Sequence, residues 1–262
     1  MILDLADATG LPVSLDEATC RFTFGRPLSA IEPTTRPAEL LGRVYRDAGA
    51  VDRLAPDGLY FMYDGVALPE HRAALAQAGL RYDLTVLRPI TVGAEAVKTL
   101  GHYHTLAPDG LRYPELYQVV FGCAHFVLQL ADAPQYRVQA VIVVEARAGD
   151  AVLMPPGWGH VSVNAGATAL VMCNWIAADC GTVPAPYLEM AGAACYEVRG
   201  RDGALELTPN PRYGGHCPDI VSPTPERMGN LLPAGPIYAT AVADLDALRP
   251  LVMPSALDWR KR

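Results

Sequence analysis

Five things are missing from this sequence, and most of these absences exclude something. No stretch approaches the 18 or so consecutive apolar residues that a membrane-spanning helix needs. Basic residues are scattered except at the terminal Arg260–Lys261–Arg262, and the net charge is −7, so the basic stripe of a nucleic-acid-binding surface is absent. The six cysteines, Cys20, Cys123, Cys173, Cys180, Cys195 and Cys217, form no CxxC pair and no tight spacing. That excludes a zinc ribbon or dithiol motif, and the thiols are expected to be free in a reducing, cytoplasmic compartment. No repeat or low-complexity tract occurs. The opening MILDLADATGLPVSLDEA is acidic, without the basic flank and long apolar run of a secretory leader, and is read as no signal peptide.

What is present is a chain of 262 residues, 51% hydrophobic and 19% charged, enough to bury a sizeable core. Residues 36–49 place Leu40, Leu41, Val44 and Tyr45 at helical spacing, which predicts a short amphipathic helix opened by Arg36–Pro37 and closed by Gly49. From residue 59 the pattern changes to short β-branched or aromatic runs: LYFMYDGVAL, YDLTVLRPITV, LYQVVFG, HFVLQL, VQAVIVVEA, DAVLMPP, HVSVNAG and ALVMCNWIA. Turn residues punctuate them, as in a β sandwich or barrel. The tail is proline-rich, with one short helix expected in AVADLDALRPL. The expected division is an N-terminal arm over 1–58 whose helix packs on the core, a β barrel over 59–213, and a loop-rich extension over 214–262.

Two motifs carry the chemistry. The stretch GHYHTLAPDGLRYPELYQVVFG reads GHxH-x10-E-x6-G, with His102, His104 and Glu115. Residues i and i+2 of a strand share a face, so His102 and His104 can aim at one point, and Glu115 can meet them from a paired strand. Further on, GDAVLMPPGWGHVSVN reads G-x5-P-x-G-x2-H-x3-N. There Gly149–Asp150 suits a hairpin turn, Pro155, Pro156 and Gly157 end a strand, and His160 begins the next. A lone His-x-His is usually incidental; two such motifs together point to a metal site of three imidazoles and a carboxylate. That donor set suits Fe, Mn, Ni, Co or Zn without choosing among them. His71, His125 and His216 are not taken as ligands; His71 is read as solvated, and His125 as a residue that could line a cavity.

Both motifs resemble those of the cupin superfamily, which implies a mainly β fold, an antiparallel double-stranded β-helix with short helices in its N- and C-terminal extensions. The resemblance narrows to the cupin-type (archaeal-type) glucose-6-phosphate isomerases through LTVLRP at 84–89, KTLGHYH at 98–104, PELYQVVFG at 114–122, VLQL at 127–130, MPPGWGHVSVNAG at 154–166 and ELTPNPRY at 206–213. It implies one divalent metal ion, iron foremost, held by His102, His104, Glu115 and His160. It also implies a sugar phosphate held by Tyr60, Thr85, Thr99 and Gly101, with Tyr117 beside the sugar. The implied reaction interconverts glucose 6-phosphate and fructose 6-phosphate, as in glycolysis and gluconeogenesis, in a homodimer that binds neither nucleic acid nor membrane. In that chemistry a base takes the C2 proton and a cis-enediol is reprotonated at C1. Glu115 is the candidate base, loosened from the metal because a cation lowers a ligand carboxylate's basicity. A hydride shift is the other route.

The sequence departs from that family at residues 173–182. CNWIAADCGT stands where the family carries a tyrosine and then Gly-His-Asp-Tyr-Gly-Thr, and about 49 residues follow Tyr213. A different acidic sugar, an epimerase or an O2-using dioxygenase therefore stands as the alternative enzyme. A non-catalytic sugar-binding cupin is the third class, against which the four intact ligands argue.

Overall fold

The computed structural model describes residues 1–132, 137–214 and 220–259. Two antiparallel sheets face each other. The first runs Ala151–Met154, Glu115–Phe121, Leu170–Ala177, Leu80–Leu87, Tyr60–Tyr63 in spatial order. The second runs Gly159–Asn164, Cys123–Asp132, Arg137–Arg147, with Ile220–Val221 added in parallel at its edge. All eight β runs read from the sequence overlap one of these strands. The mainly β architecture is that of the expected cupin double-stranded β-helix.

The chain crosses between sheets at tight corners. Gly122 separates Glu115–Phe121 from Cys123–Asp132 at φ 88°, and a Cβ there would lie 2.6 Å from the Ala169 carbonyl oxygen. Only glycine fits a left-handed corner pressed against backbone, which explains the glycine that closes the first motif.

Alternation along the first sheet sorts its side chains. Tyr60, Leu87, Tyr117, Val119, Val152, Met154, Leu170 and Met172 share one buried cluster with Phe126 and Leu128 of the second sheet. Phe61, Tyr63, Tyr82, Leu84, Val86, Leu116, Leu153, Val171 and Trp175 lie in another cluster on the outer face. Both ends of the chain cover that outer face: Leu5, Leu11, Val13, Leu15 and Phe22 from one end, Ile237, Tyr238, Leu248 and Leu251 from the other. Polar clamps fix the C-terminal part. Trp175 Nε1–H donates to the Ile237 carbonyl at 2.9 Å, and its ring stacks on Tyr238 at 5.8 Å. The Gln118 side chain donates to the Gly235 carbonyl at 2.9 Å and accepts from the Ile237 N–H at 3.0 Å. Over the described residues, then, the tail backs the sheet from outside.

Three expectations need correction. The helix over 36–49 is two helices, Ala38–Gly42 and Ala48–Leu54, and Gly49 lies inside the second. The chain is pinned between them: Tyr45 Oη donates to the Lys98 carbonyl at 3.0 Å and accepts from its N–H at 2.8 Å, while the Arg46 N–H donates to Glu95 at 2.6 Å. Helical spacing of apolar residues could not reveal these long-range bonds. The C-terminal helix is likewise broken: Ile237–Ala243 ends at Asp244, with φ −152°, and Arg249–Val252 restarts with Pro250 in its first turn. Finally, Cys20, Cys123, Cys173 and Cys180 are free thiols but Cys195 is disulfide-bonded, a pairing that spacing along the chain does not encode. Cys217 and His216 lie outside the described residues.

Replacing Gln118 with leucine is expected to strand the Gly235 carbonyl and the Ile237 N–H against an apolar side chain. At ~1–3 kcal/mol for each unsatisfied buried group, the denaturation midpoint should fall by several degrees in a thermal melt, with metal affinity unchanged.

Candidate metal centre

Residues 97–104 run alongside Gly159–Asn164 with a change of register. Lys98 pairs with Val163 and His102 pairs with His160, so Thr99, Leu100 and Gly101 lie opposite only Ser162 and Val161. This is a one-residue β-bulge, which reverses the facing of the chain across it. Lys98 points outward with Val163, where it is buried over the rings of Tyr45 and Tyr196 and paired with Glu95. His102 points inward with His160.

Glycine lets the outer side close over this segment. A Cβ on Gly101 would lie 2.3 Å from the Tyr187 ring, and one on Gly159 would lie 2.6 Å from the Tyr103 ring. Each of these glycines immediately precedes a ligand histidine, so an aromatic ring packs on bare backbone outside while the imidazole projects inside.

The four residues do converge. One ligand atom from each of His102, His104, Glu115 and His160 falls in a group whose members all lie within 4.8 Å of one another. Glu115 Oε2 is 3.3 Å from His104 Nε2 and 3.2 Å from His160 Nε2, close to the ~3 Å spacing of ligands that share a metal at 2.0–2.2 Å. The backbone fixes two of the imidazoles: His102 Nδ1–H donates to the Leu100 carbonyl at 3.1 Å and His104 Nδ1–H to the Tyr113 carbonyl at 2.8 Å. With Nδ1 bonded to a carbonyl, each Nε2 is the nitrogen turned inward. His104 Nε2, Glu115 Oε2 and His160 Nε2 are buried without a hydrogen-bond partner. Orphaned buried lone-pair atoms, aimed at one point, fit a cation.

The electrostatics agree with that fit. Burial, with the His160 and His104 imidazoles adding, holds His102 well below its ordinary value and so neutral. Burial pushes the Glu115 carboxyl up, but the facing His104 and His160 imidazoles outweigh it and keep the group ionised. His104 is opposed by burial yet raised by Cys180 and Glu115, so without a cation it retains a proton. Loading a metal would release that proton.

The remaining expected site residues stand as follows. Tyr117 lies inside, its ring 5.8 Å from that of His160 and 5.3 Å from that of Phe126, and burial, with Glu115 adding, pushes its hydroxyl well up. Tyr60 is buried inside, its oxygen accepting from the Leu100 N–H at 3.0 Å. Thr85 is buried on the inward face between Met62 and Met172. Thr99 Oγ1 accepts from the Ser162 N–H at 3.0 Å. Gly101 sits on the bulge under Tyr187, so its missing side chain makes room for that ring. His71 is half-buried, with Nδ1 3.0 Å from Tyr238 Oη, rather than solvated. His125 lies on the outer face, held by Glu197 at 2.9 Å, and does not line the interior.

Sequence reasoning missed Asp83. It lies on the inward face, 5% exposed, and its carboxylate accepts from Arg81 Nε at 2.9 Å and the Gly65 N–H at 2.8 Å. The signal was present in YDLTVL: Asp83 shares its parity with Thr85, opposite to Tyr82, Leu84 and Val86.

Against known families, the model for "Glucose-6-phosphate isomerase (GPI)" matches residues 36–212. The chain belongs to the glucose-6-phosphate isomerase family. Among curated relatives, the glucose-6-phosphate isomerase of Thermococcus gammatolerans is 28% identical over 137 residues, 52% of this chain and 66% of that protein. That of Thermococcus litoralis is 27% identical over 135 residues, 52% and 64%. The chain thus spans just under two thirds of the relatives it matches. Solved structures overlap only partly. Hazelnut (Corylus avellana) vicilin has a TM-score of 0.35 at 18% identity, covering 48% of this chain and 32% of that one. Oxalate oxidase in complex with glycolate has a TM-score of 0.31 at 18% identity, covering 49% and 52%. The fold of this glucose-6-phosphate isomerase family member rests on its own sheet register.

Burial raises the Asp83 carboxyl from 3.8 to about 6 although Arg81 and Gly65 oppose it. A carboxyl raised on folding binds its proton more tightly in the folded state. Its stabilising contribution is therefore complete below the unfolded value and is lost as pH rises through about 6. From pH 7 to pH 5 the wild type should gain about 1 kcal/mol relative to Asp83→Asn, read from paired urea titrations. A difference independent of pH would show that Asp83 stays ionised.

Proposed function

We propose that this protein is a metal-dependent aldose–ketose isomerase of a sugar phosphate, with glucose 6-phosphate and fructose 6-phosphate as its pair. The observation that carries the reading is the convergence of His102, His104, Glu115 and His160 on one buried point, in a member of this family. Those four residues would hold one divalent ion, with iron the first choice. The ion would supply Lewis-acid polarisation of the O1/O2 edge of the open-chain sugar.

The chain's own groups do the rest. Glu115 takes the proton from C2 and returns it to C1, shielded from bulk water by its burial. The Tyr117 hydroxyl, held protonated, donates to a sugar oxygen near the reacting carbons. The Tyr60 hydroxyl, having accepted from Leu100, keeps its own hydrogen to donate to phosphate, and Thr85 and Thr99 hold hydroxyls nearby. In the bulge the Thr99 N–H, the Leu100 N–H and the Leu100 carbonyl are paired, and the Gly101 N–H supports this placement as the donor left, among the described residues, for a ligand. The three-part division at 58/59 and 213/214, a homodimer and a cytoplasmic site of action belong to the same reading.

The test is a coupled isomerase assay on a panel of aldose phosphates, with and without chelator, across Fe, Mn, Ni, Co and Zn. Chelation should abolish turnover and re-addition of one metal should restore it. Glu115→Gln, with its metal content measured, should lose 10²–10⁴-fold in kcat. A metal-loaded protein that turns over no aldose phosphate overturns the proposal, and oxygen uptake with Fe(II) would favour the dioxygenase.

A further inference from the structure

The inward face of the five-stranded sheet is arranged in rows, because residues directly opposed on neighbouring strands point the same way. Glu115, opposite Met154, stands in the row nearest the metal centre. Two residues along each strand, the next row runs Asp83, Asn174, Tyr117, Val152. The row after that begins with Thr85 opposite Met172. Successive rows are about 7 Å apart. The middle row therefore lies between the level of the reacting carbons and that of the phosphate, alongside the carbons that join them.

That row carries two buried polar side chains. Asp83 and Asn174 are each 5% exposed. Asp83 is braced from one side: Arg81 Nε donates to its two oxygens at 2.9 and 3.0 Å, and the Arg81 terminal nitrogen lies 2.9 Å from Oδ2. The single Nε–H is shared between the two oxygens and the Gly65 N–H occupies Oδ1 at 2.8 Å, so the remaining acceptor capacity lies on Oδ2. Among the described residues the Asn174 amide has no hydrogen-bond partner, and it is not sealed off completely. A buried amide kept for structure alone would be paired, since an unpaired one costs free energy. An amide that opens on a substrate space finds its partner in the substrate.

We propose that Asn174 and Asp83 are specificity-determining residues that read the hydroxyls on the carbons between the reacting end and the phosphate, with Arg81 as the positioning residue for Asp83. This rests on the sugar-phosphate reading above. The chemistry matches: a sugar hydroxyl is both donor and acceptor, Asn174 offers both roles, and Asp83, fixed by Arg81, accepts.

The experiment is calorimetry on the metal-loaded protein with glucitol 6-phosphate, which cannot isomerise, and its 3-deoxy, 4-deoxy and 5-deoxy counterparts. Asn174→Leu and Asp83→Asn keep side-chain volume, and circular dichroism and melting confirm that each is folded. Each variant should bind glucitol 6-phosphate about tenfold more weakly or worse, and should match the wild type on the deoxy ligand that lacks the hydroxyl it reads. With glucose 6-phosphate the loss should fall on KM more than on kcat. If the wild type binds glucitol 6-phosphate but both variants bind it equally well, or lose equally on every ligand, the proposal is overturned while the isomerase reading stands. If the wild type binds no sugar phosphate at all, the isomerase reading falls and takes the proposal with it.

Discussion

The centre depends on a single extra residue in one strand. Without the bulge between Lys98 and His102, regular alternation would give both residues the same facing. Either a lysine would enter the barrel beside three imidazoles, or His102 would leave it. The bulge removes the conflict: the lysine goes to Glu95, Tyr45 and Tyr196 outside, and the imidazole goes to His160 inside. Because His102 and His160 are backbone partners, bonded N–H to O at 3.3 and 3.0 Å in the two directions, a shift of either strand would move both ligands together. The convergence is a property of the ladder rather than of flexible side chains.

The same segment explains why the structure needs its outer layers. Lys98 is a buried cation, and its pKa is lowered by burial although Glu95 opposes the shift. Its environment is assembled from distant parts of the chain: Tyr45 from the turn between two N-terminal helices, and Tyr196 from the strand Cys195–Arg199. Tyr187, packed over Gly101 and Gly159, closes the remaining gap. The N-terminal turn, the bulge and the segment after residue 184 thus form one packed unit outside the barrel wall, with the ligands on its inner side.

Much of this was legible in the sequence, and what was not has a physical explanation. The eight β runs announce themselves by composition and turn punctuation, and the two histidine motifs by their spacing, because strand parity is a short-range rule. The break in the 36–49 helix was invisible, since it is set by bonds from Tyr45 and Arg46 to residues about fifty positions away. Gly101 is read from sequence for its backbone approach to phosphate; that its bare Cα also meets the Tyr187 ring is a contact no local pattern can name. In CNWIAADCGT either Trp175 or Ile176 stands near the family's missing tyrosine, and of the two Trp175 faces outward under the C-terminal tail. The parity of its strand, counted from Asn174 or Met172, would have shown this. Asp83 was passed over because a single charge in an apolar strand looks like a solvent-facing break until a second sheet covers that face.

Could the four-residue cluster be merely a buried polar network? Such a network is tolerated when every member is satisfied, and half-satisfied ones are worse than an apolar core. Here His104 Nε2, Glu115 Oε2 and His160 Nε2 are all sealed from solvent without a partner. At ~1–3 kcal/mol for each unsatisfied group, more for charged ones, the arrangement is a considerable burden on a domain whose net stability is typically only ~5–15 kcal/mol. Leucine or phenylalanine at these positions would remove the burden without disturbing the ladder. A cation removes it differently, by satisfying those three atoms at once. His102 and His104 show the preparation for that: each has its Nδ1 committed to a main-chain carbonyl, which turns Nε2 toward the centre. Side chains fixed in that orientation are arranged for a ligand of positive charge.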